Sequence, residues 1–403
     1  MSASYQNLKV CLCCGQTTLV EMLDLGIQPL ANSYHNNTGE LPAYPLGVRV
    51  CRACYHLQQL VAVDPDLMFK QYAYVSGTSY TLRKYFDDFA RLVTADAHGG
   101  KGKNVLDIAC NDGSQLASFM REGWSAFGVD PAENLVGRAR ATGATIVCDY
   151  WRPESARALG VMMDVLVAQN VFAHTSDPLG FLLTAKMVMH KGSRLFIQTS
   201  QADMLPRGEF DTIYHEHISF FSTRSMQALA WRAGFVLEDA FITPVHGGSY
   251  VFVLGFGEET ANVAARIAAE EADGRYTMSL HTKFANNART IVTSLKKTLE
   301  ELGKDGYAVV GFGAAAKGNT LLNFGQISLE YIVDDNPLKH NLHTPGMNIP
   351  IYGPERLALE GRRVALVPLA WNFFDEIYGK VKLARPDRDD IFVTYFPAVT
   401  TRL

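Results

Sequence analysis

VLDIACNDGSQL, residues 105–116, reads as a short apolar strand, a tight turn and the start of a helix. The same strand-then-helix rhythm continues on its C-terminal side. AFGVD (126–130), TIVCD (145–149), DVLVAQN (164–170) and RLFIQTS (194–200) are strand-like, with helix-length stretches between them. Such alternation predicts an α/β chain with a doubly wound parallel sheet. GFVLEDAFITPV (234–245) and GSYVFVLGFG (248–257) then predict a closing antiparallel hairpin. On the N-terminal side, Tyr80, Tyr85, Phe86, Phe89 and Leu92 recur at helical spacing over 76–103. Residues 1–75 are Cys-, Pro- and Tyr-rich with little helical periodicity. Beyond the hairpin, 258–304 is rich in Ala, Glu, Lys and Leu and predicts one long helix or two. A second strand–turn–helix, YAVVGFGAAAKGNTLLNF (307–324), is followed by strand-like LEYIVDD (329–335) and RRVALVPLAW (362–371). The expected division is 1–75, 76–257 and 258–403, the last a smaller α/β unit.

Bulk properties narrow the function classes. Hydrophobic residues are 48% and charged residues 19% of 403, the balance of a globular enzyme. Net charge is −4 with no basic block, which argues against a nucleic-acid partner, since phosphate binding needs clustered Lys and Arg. No apolar run approaches the roughly 20 residues of a membrane helix. MSASYQNLKVCLCCG lacks a signal-peptide stretch, so a cytoplasmic location without membrane partners is expected.

Five of seven cysteines fall in the first 54 residues, and in a reducing compartment they read as metal ligands. Cys11-x2-Cys14 and Cys51-x2-Cys54 present four thiolates, which suit tetrahedral Zn²⁺. Cys13 offers a competing register, but Cys11/Cys14 keeps the two-residue spacer. Four protein ligands leave no position for water, so the zinc is structural. A nucleic-acid-binding zinc module is the rival, disfavoured by the lack of basic residues.

The 105–116 loop lacks G-x-G-x-x-G, which would seat a pyrophosphate, and carries carboxylates that would repel one. S-adenosylmethionine, an adenosine cofactor without phosphate, fits instead. Asp107, Asp112 and Gly113, with Ala109 and Asn111 between, suit its cationic amino-acid portion. Asp130, 23 residues after Asp107 and followed by Pro131, is placed for the ribose hydroxyls. Asp149 and Tyr150 suit the adenine, and Asn170 and His174 close the set. All lie at carboxyl ends of strands, where ligands bind in open α/β sheets.

DTIYHEHISFF (211–221) concentrates Tyr214, His215, Glu216 and His217, and PVHGG (244–248) adds His246. HEH is too short for a metalloprotease motif. VVGFGAAAKG (309–318) matches G-x-G-x-x-A through Gly311 and Gly313, followed by Lys317, with Asp334 and Asp335 ending the next strand. That pattern suits NAD(P), and equally the pyrophosphate of a nucleotide diphosphate-sugar at a helix N-terminus. Asn372 in LAWNF is a further candidate contact.

Three segments together resemble the sugar C-methyltransferases of bacterial deoxysugar pathways, the tetronitrose C-methyltransferase-like enzymes. They are CLCCG…LGIQPLANSY…CRACYHLQQL, then VLDIACNDGSQL, then IYHEHISFFS…PVHGG…VVGFGAAAKGNTLLNF. The resemblance implies an N-terminal zinc-binding module, a central Rossmann-like class I methyltransferase domain, and a C-terminal smaller Rossmann-like α/β domain that helps hold the nucleotide-sugar. The family's Y-x-E-H segment falls on Tyr214, Glu216 and His217, with His215 at the variable position. The HGG histidine falls on His246. The family's aromatic loop resembles Tyr72-Ala73-Tyr74, so Tyr72 or Tyr74 is expected at the sugar. The chain departs from the family at Ala109, where glycine is usual. The implied reaction moves a methyl group from S-adenosylmethionine to a carbon, C-3 more often than C-5, of a nucleotide-linked 4-keto-deoxysugar through an enolate. His217 is the expected base and Glu216 its orienting partner. Tyr214 is the oxyanion donor, and His246 a second donor or the alternative base. The chain is expected to act as a monomer or weak homodimer. An O- or N-methyltransferase, or an NAD(P)-dependent oxidoreductase or bifunctional enzyme, are the alternatives.

Overall fold

The computed structural model describes residues 4–36, 41–70, 75–78, 80–200, 203–386 and 388–403. Its N-terminal part is built of strands. Leu19–Pro29, Ala43–Cys51 and Leu57–Gln59 pair antiparallel in sequence order. Leu23 and Leu25, then Leu46, Val48 and Val50, bury one face at the two-residue period of a strand. Two knuckles flank this sheet. In each, a backbone N–H four residues on bonds the first cysteine's carbonyl, Gly15 to Cys11 at 2.9 Å and Tyr55 to Cys51 at 2.8 Å. Gly15 and Tyr55 both take positive φ, 76° and 56°, so each knuckle closes on a left-handed residue. The fourth strand of the sheet, Ser219–Phe220, comes from far along the chain and pairs with Leu57–Gln59.

The central sheet has seven strands in the order Val236–Thr243, Ser249–Gly255, Met189–Ser200, Met163–Gln169, Asn104–Ile108, Ser125–Val129 and Thr145–Val147. Five are parallel neighbours as expected. The hairpin forms too, but its second strand inserts antiparallel between Met189–Ser200 and Val236–Thr243. Helix Tyr80–Asp96 packs on this sheet through Leu82, Phe86, Phe89, Ala90 and Val93. Tyr80 and Leu92, counted in the apolar pattern, instead face outward at 74% and 44% exposure. The buried stripe runs 82–86–89–93, and neither residue lies on that arc.

Two helices follow, Ala261–Ala272 and Met278–Lys304. The C-terminal sheet runs Ile351–Tyr352, Tyr331–Val333, Ala308–Phe312, Val364–Pro368, Ile391–Thr394 and Thr400–Arg402, parallel except for its last strand. The cores cross the sequence boundaries. Phe284, Ile291 and Leu295 of the long helix join Leu23 and Leu46 of the first sheet and Leu321 and Ile332 of the C-terminal unit in one apolar cluster. Cys11, Cys51 and Cys54 share another with the central sheet. No helix among the described residues is long and apolar enough to cross a membrane.

Candidate active site and metal centre

The Sγ atoms of Cys11, Cys14, Cys51 and Cys54 all lie within 4.8 Å of one another. Cys11–Cys54 and Cys14–Cys51 are each 3.5 Å apart. A tetrahedral Zn–S₄ centre needs sulfurs about 3.8 Å apart, so this donor set fits Zn²⁺. Cys13 is fully buried outside the group, which settles the register in favour of Cys11/Cys14.

The loop after Asn104–Ile108 folds back on the sheet through three left-handed residues, Ala109, Asn111 and Gly113, at φ 65°, 50° and 79°. A Cβ on Gly113 would stand 3.0 Å from the Ala139 backbone, so only glycine suits that position. Asp130, with Pro131 after it, accepts from the backbone N–H groups of Asn111 and Ala132, each at 2.8 Å. Asp107 is buried beside it. Burial, then the charges of Asp130 and Asp112, push its carboxyl well above the ordinary range. A pocket with this excess of carboxylate fits a cationic sulfonium cofactor.

At the next strand ends, Asp149 is held bidentately by Arg152 at 2.7–3.1 Å, and Tyr150 donates its hydroxyl to Asp66 at 2.9 Å. Asn170 takes φ 53° at the end of Met163–Gln169. His174 stacks on Phe69, centroids 5.7 Å apart, and burial lowers its pKa to about 4, so the ring is neutral. It also lies 5.2 Å from the His217 ring, which joins the cofactor side to the reactive segment. Sequence reasoning missed the turn Ser76–Thr78. Its Ser76 and Gly77 N–H groups donate to the Asn111 and Asp112 side chains, each at 3.0 Å. Nothing in the spelling of SGT signals that role.

In the reactive segment the Tyr214 hydroxyl and His217 Nε2 are 2.9 Å apart, and His217 Nδ1 is 2.8 Å from the Thr212 carbonyl. A carbonyl only accepts, so Nδ1 carries the proton. Nε2 is then the basic nitrogen, and it accepts from Tyr214. Glu216 is buried; burial lifts its pKa to about 7 against the pull of a hydrogen bond from Asn32. His215 packs on Tyr44 and is neutral, its pKa lowered to about 4 by burial.

Both flanking parts of the chain clamp this segment. Gln59 Nε2 donates to the Tyr214 carbonyl at 2.9 Å, and Thr320 Oγ1 to the Ile213 carbonyl at 3.1 Å. Trp371 Nε1 donates to Asp211 at 2.8 Å. His246 belongs to the single turn Val245–Gly247, and its side chain lies outside what the structure describes. Tyr72 and Tyr74 also lie outside the described residues.

In the C-terminal unit, Gly311 and Gly313 pack against the loop at Leu369 and Ala370, where added Cβ atoms would come within 2.9 Å of a side chain. Asp334 repeats the arrangement of Asp130, accepting from Ala314 N at 2.6 Å and Asn336 N at 2.8 Å. The Ala314 carbonyl accepts from the Tyr34 hydroxyl at 2.6 Å and from Lys339 at 2.7 Å. Lys317 lies 4.5 Å from the centre of the Trp371 ring, near the start of helix Ala316–Gly325, and Asn372 is exposed beside it in sequence.

Three family models match the chain in succession. "Putative zinc binding domain" covers residues 11–69, "Methyltransferase domain" 78–240, and "C-methyltransferase C-terminal domain" 244–397. C-methyltransferase NovU of Streptomyces niveus is 27% identical over 386 residues, 92% of each chain. The ubiquinone biosynthesis O-methyltransferase of Ruegeria sp. (strain TM1040) is 27% identical over 212 residues, 47% of this chain and 80% of the relative. Among solved structures, magnesium protoporphyrin IX methyltransferase from Synechocystis PCC 6803 aligns over 43% of this chain and 78% of that one, at 14% identity and TM-score 0.33.

Proposed function

From a chain that belongs to the S-adenosylmethionine-dependent C-methyltransferases, we propose an enzyme that methylates a carbon, C-3, of a nucleotide-linked 4-keto-deoxysugar. The observation that carries this reading is the Tyr214–His217 pair beside a buried Glu216. Carbon becomes nucleophilic next to a carbonyl once its proton is removed. That step needs a base and a donor for the developing oxyanion. His217 presents Nε2 as the base, already in the required tautomer. Its partner Tyr214 holds a hydroxyl proton that transfers its hydrogen bond to the oxyanion as Nε2 takes the carbon-bound proton. The Thr212 carbonyl and the Tyr214 hydroxyl hold His217, the task expected of Glu216; Glu216, near half-protonated at neutral pH, instead polarises the same carbonyl. S-adenosylmethionine supplies the electrophilic methyl group, held by Asp107, Asp112, Asp130, Asp149, Tyr150, Asn170 and His174.

Residues 1–75, 76–257 and 258–403 serve as scaffold, cofactor domain and substrate domain. Lys317 and the start of its helix suit a diphosphate, and Tyr72, Tyr74, His246 and Asn372 complete the sugar side. Tyr34 and Lys339 both end on the Ala314 carbonyl, so the chain itself engages this turn, and we read the unit as substrate-binding rather than dinucleotide-binding. The enzyme acts in the cytoplasm as a monomer or weak homodimer.

The test is a panel of dTDP- and GDP-linked 4-keto-6-deoxysugars deuterated at C-3, incubated with S-adenosylmethionine and analysed by mass spectrometry. A methylated product that has lost the deuterium is expected. One that retains it would mean methylation at another position, C-5 or an oxygen, and overturn the C-3 reading.

A further inference from the structure

The hydrogen bond to Glu216 comes from a residue 184 positions away. The Asn32 amide donates to Oε1 at 2.5 Å. Asn32 sits in the turn that follows strand Leu19–Pro29, and its neighbours fix that turn. Asn319 Nδ2 donates to the Ala31 carbonyl at 2.7 Å, and Tyr34 reaches the Ala314 carbonyl at 2.6 Å. Ala31 is buried, whereas Asn32 is exposed, so its side chain contributes little to the core.

We propose that Asn32, supplied by the zinc-binding module, is a positioning residue for Glu216: its amide holds Oε1 as an acceptor and leaves Oε2 as the oxygen that carries the carboxyl proton. An amide N–H can only donate, and a carbonyl-type oxygen accepts it better than a hydroxyl oxygen, so the bond favours the proton on Oε2. The acid form is thereby biased toward one arrangement, which is what donation to a fixed substrate oxygen requires. The proposal rests on the reading that Glu216 works at the reacting carbonyl.

The groups around Glu216 sharpen the test. Burial raises the carboxyl to about 7, and the Asn32 bond opposes that rise. Tyr34, on the same turn, stays a neutral phenol because burial raises its pKa. On Glu216's own segment, Tyr214 and His217 are paired with each other and His215 is neutral. Beyond them, His174 faces His217 and is neutral as well. Removing the Asn32 donor therefore moves the Glu216 pKa upward.

The experiment uses the full-length zinc-loaded chain with bound S-adenosylhomocysteine and ¹³C-carboxyl-labelled glutamate. The Glu216 resonance is assigned by its loss in Glu216→Gln. Asn32→Ala is expected to raise its titration midpoint by about one pH unit, tenfold in proton affinity. Asn32→Asp, nearly isosteric, is expected to raise it further by adding a second carboxylate. An unchanged midpoint in both overturns the proposal. With a keto-sugar substrate, Asn32→Ala is expected to lower kcat about tenfold at nearly constant KM, and to cost nothing more in the Glu216→Gln background. The same loss in both backgrounds would show a role independent of Glu216 and overturn the proposal. Wild-type protein that turns over no keto-sugar would sink the functional reading, while the carboxyl titration still decides the role of Asn32.

Discussion

His217 illustrates both the reach and the limit of reading side chains from a sequence. Its place in a dense Tyr/His/Glu/His run marked it, but its tautomer is set by the Thr212 carbonyl, a contact no residue name announces. Because Nε2 is the unprotonated nitrogen, His217→Asn removes the proton acceptor and leaves the cofactor loop untouched. We expect kcat to fall by about 10²–10⁴-fold, with S-adenosylhomocysteine affinity unchanged by calorimetry. Retained turnover would remove His217 from the base role. Gly77 is the opposite case, unmarked in sequence yet tightly constrained. A Cβ there would run into Ser114 Oγ and the Asp112 carboxylate, and its N–H is the donor to Asp112. Gly77→Ala should therefore weaken S-adenosylhomocysteine binding about tenfold, or ~1.4 kcal/mol. A Kd equal to wild type would show that the turn does not shape the cofactor loop.

Local elements were legible because each carries its own period. The central strands after 104 show continuous apolar runs, and the two CxxC pairs show their turn chemistry. Pairing between distant elements carries no such mark. Strand Ser219–Phe220 is two residues long, too short for any periodicity, yet it fastens the reactive segment to the zinc module through Gln58 and Leu57. The strand pair Ala43–Cys51 and Leu57–Gln59 holds Cys51 and Cys54 at its turn and Gln59, which bonds the Tyr214 carbonyl, at its other end. Zinc loss should thus reach the reactive segment along a few residues of strand. Chelation, or Cys51→Ser, is expected to abolish turnover and lower the thermal midpoint. S-adenosylhomocysteine should still bind, because Asp107 and Asp130 stand on a different sheet. Metal-free protein with full turnover would make the metal irrelevant to the active site.

For the whole molecule, the junction of the three parts concentrates buried acids on one stretch, and this sets how stability responds to pH. Burial lifts Glu209 to about 7, Asp211 to about 6 and Glu216 to about 7. Asp211 is fully buried and is held by Trp371 and Tyr395 of the C-terminal unit. Unfolded, these groups ionise near their ordinary values of about 4. Below that pH both states are protonated and the acids cost nothing. As pH rises toward 7 the unfolded chain releases these protons while the folded chain keeps them. Stability is therefore lost across that interval and levels off above it. The Glu209→Gln variant isolates one such term, since an amide cannot ionise. Its thermal midpoint should match wild type near pH 4.5 and exceed it by about 1 °C at pH 7.5, the scale of ~1 kcal/mol for a chain of 403 residues. An offset of the same size at both pH values would assign the effect to packing rather than to proton linkage. The nearby Lys317 ammonium lowers both Glu209 and Asp211. Lys317→Met should accordingly steepen the pH dependence that Glu209→Gln flattens.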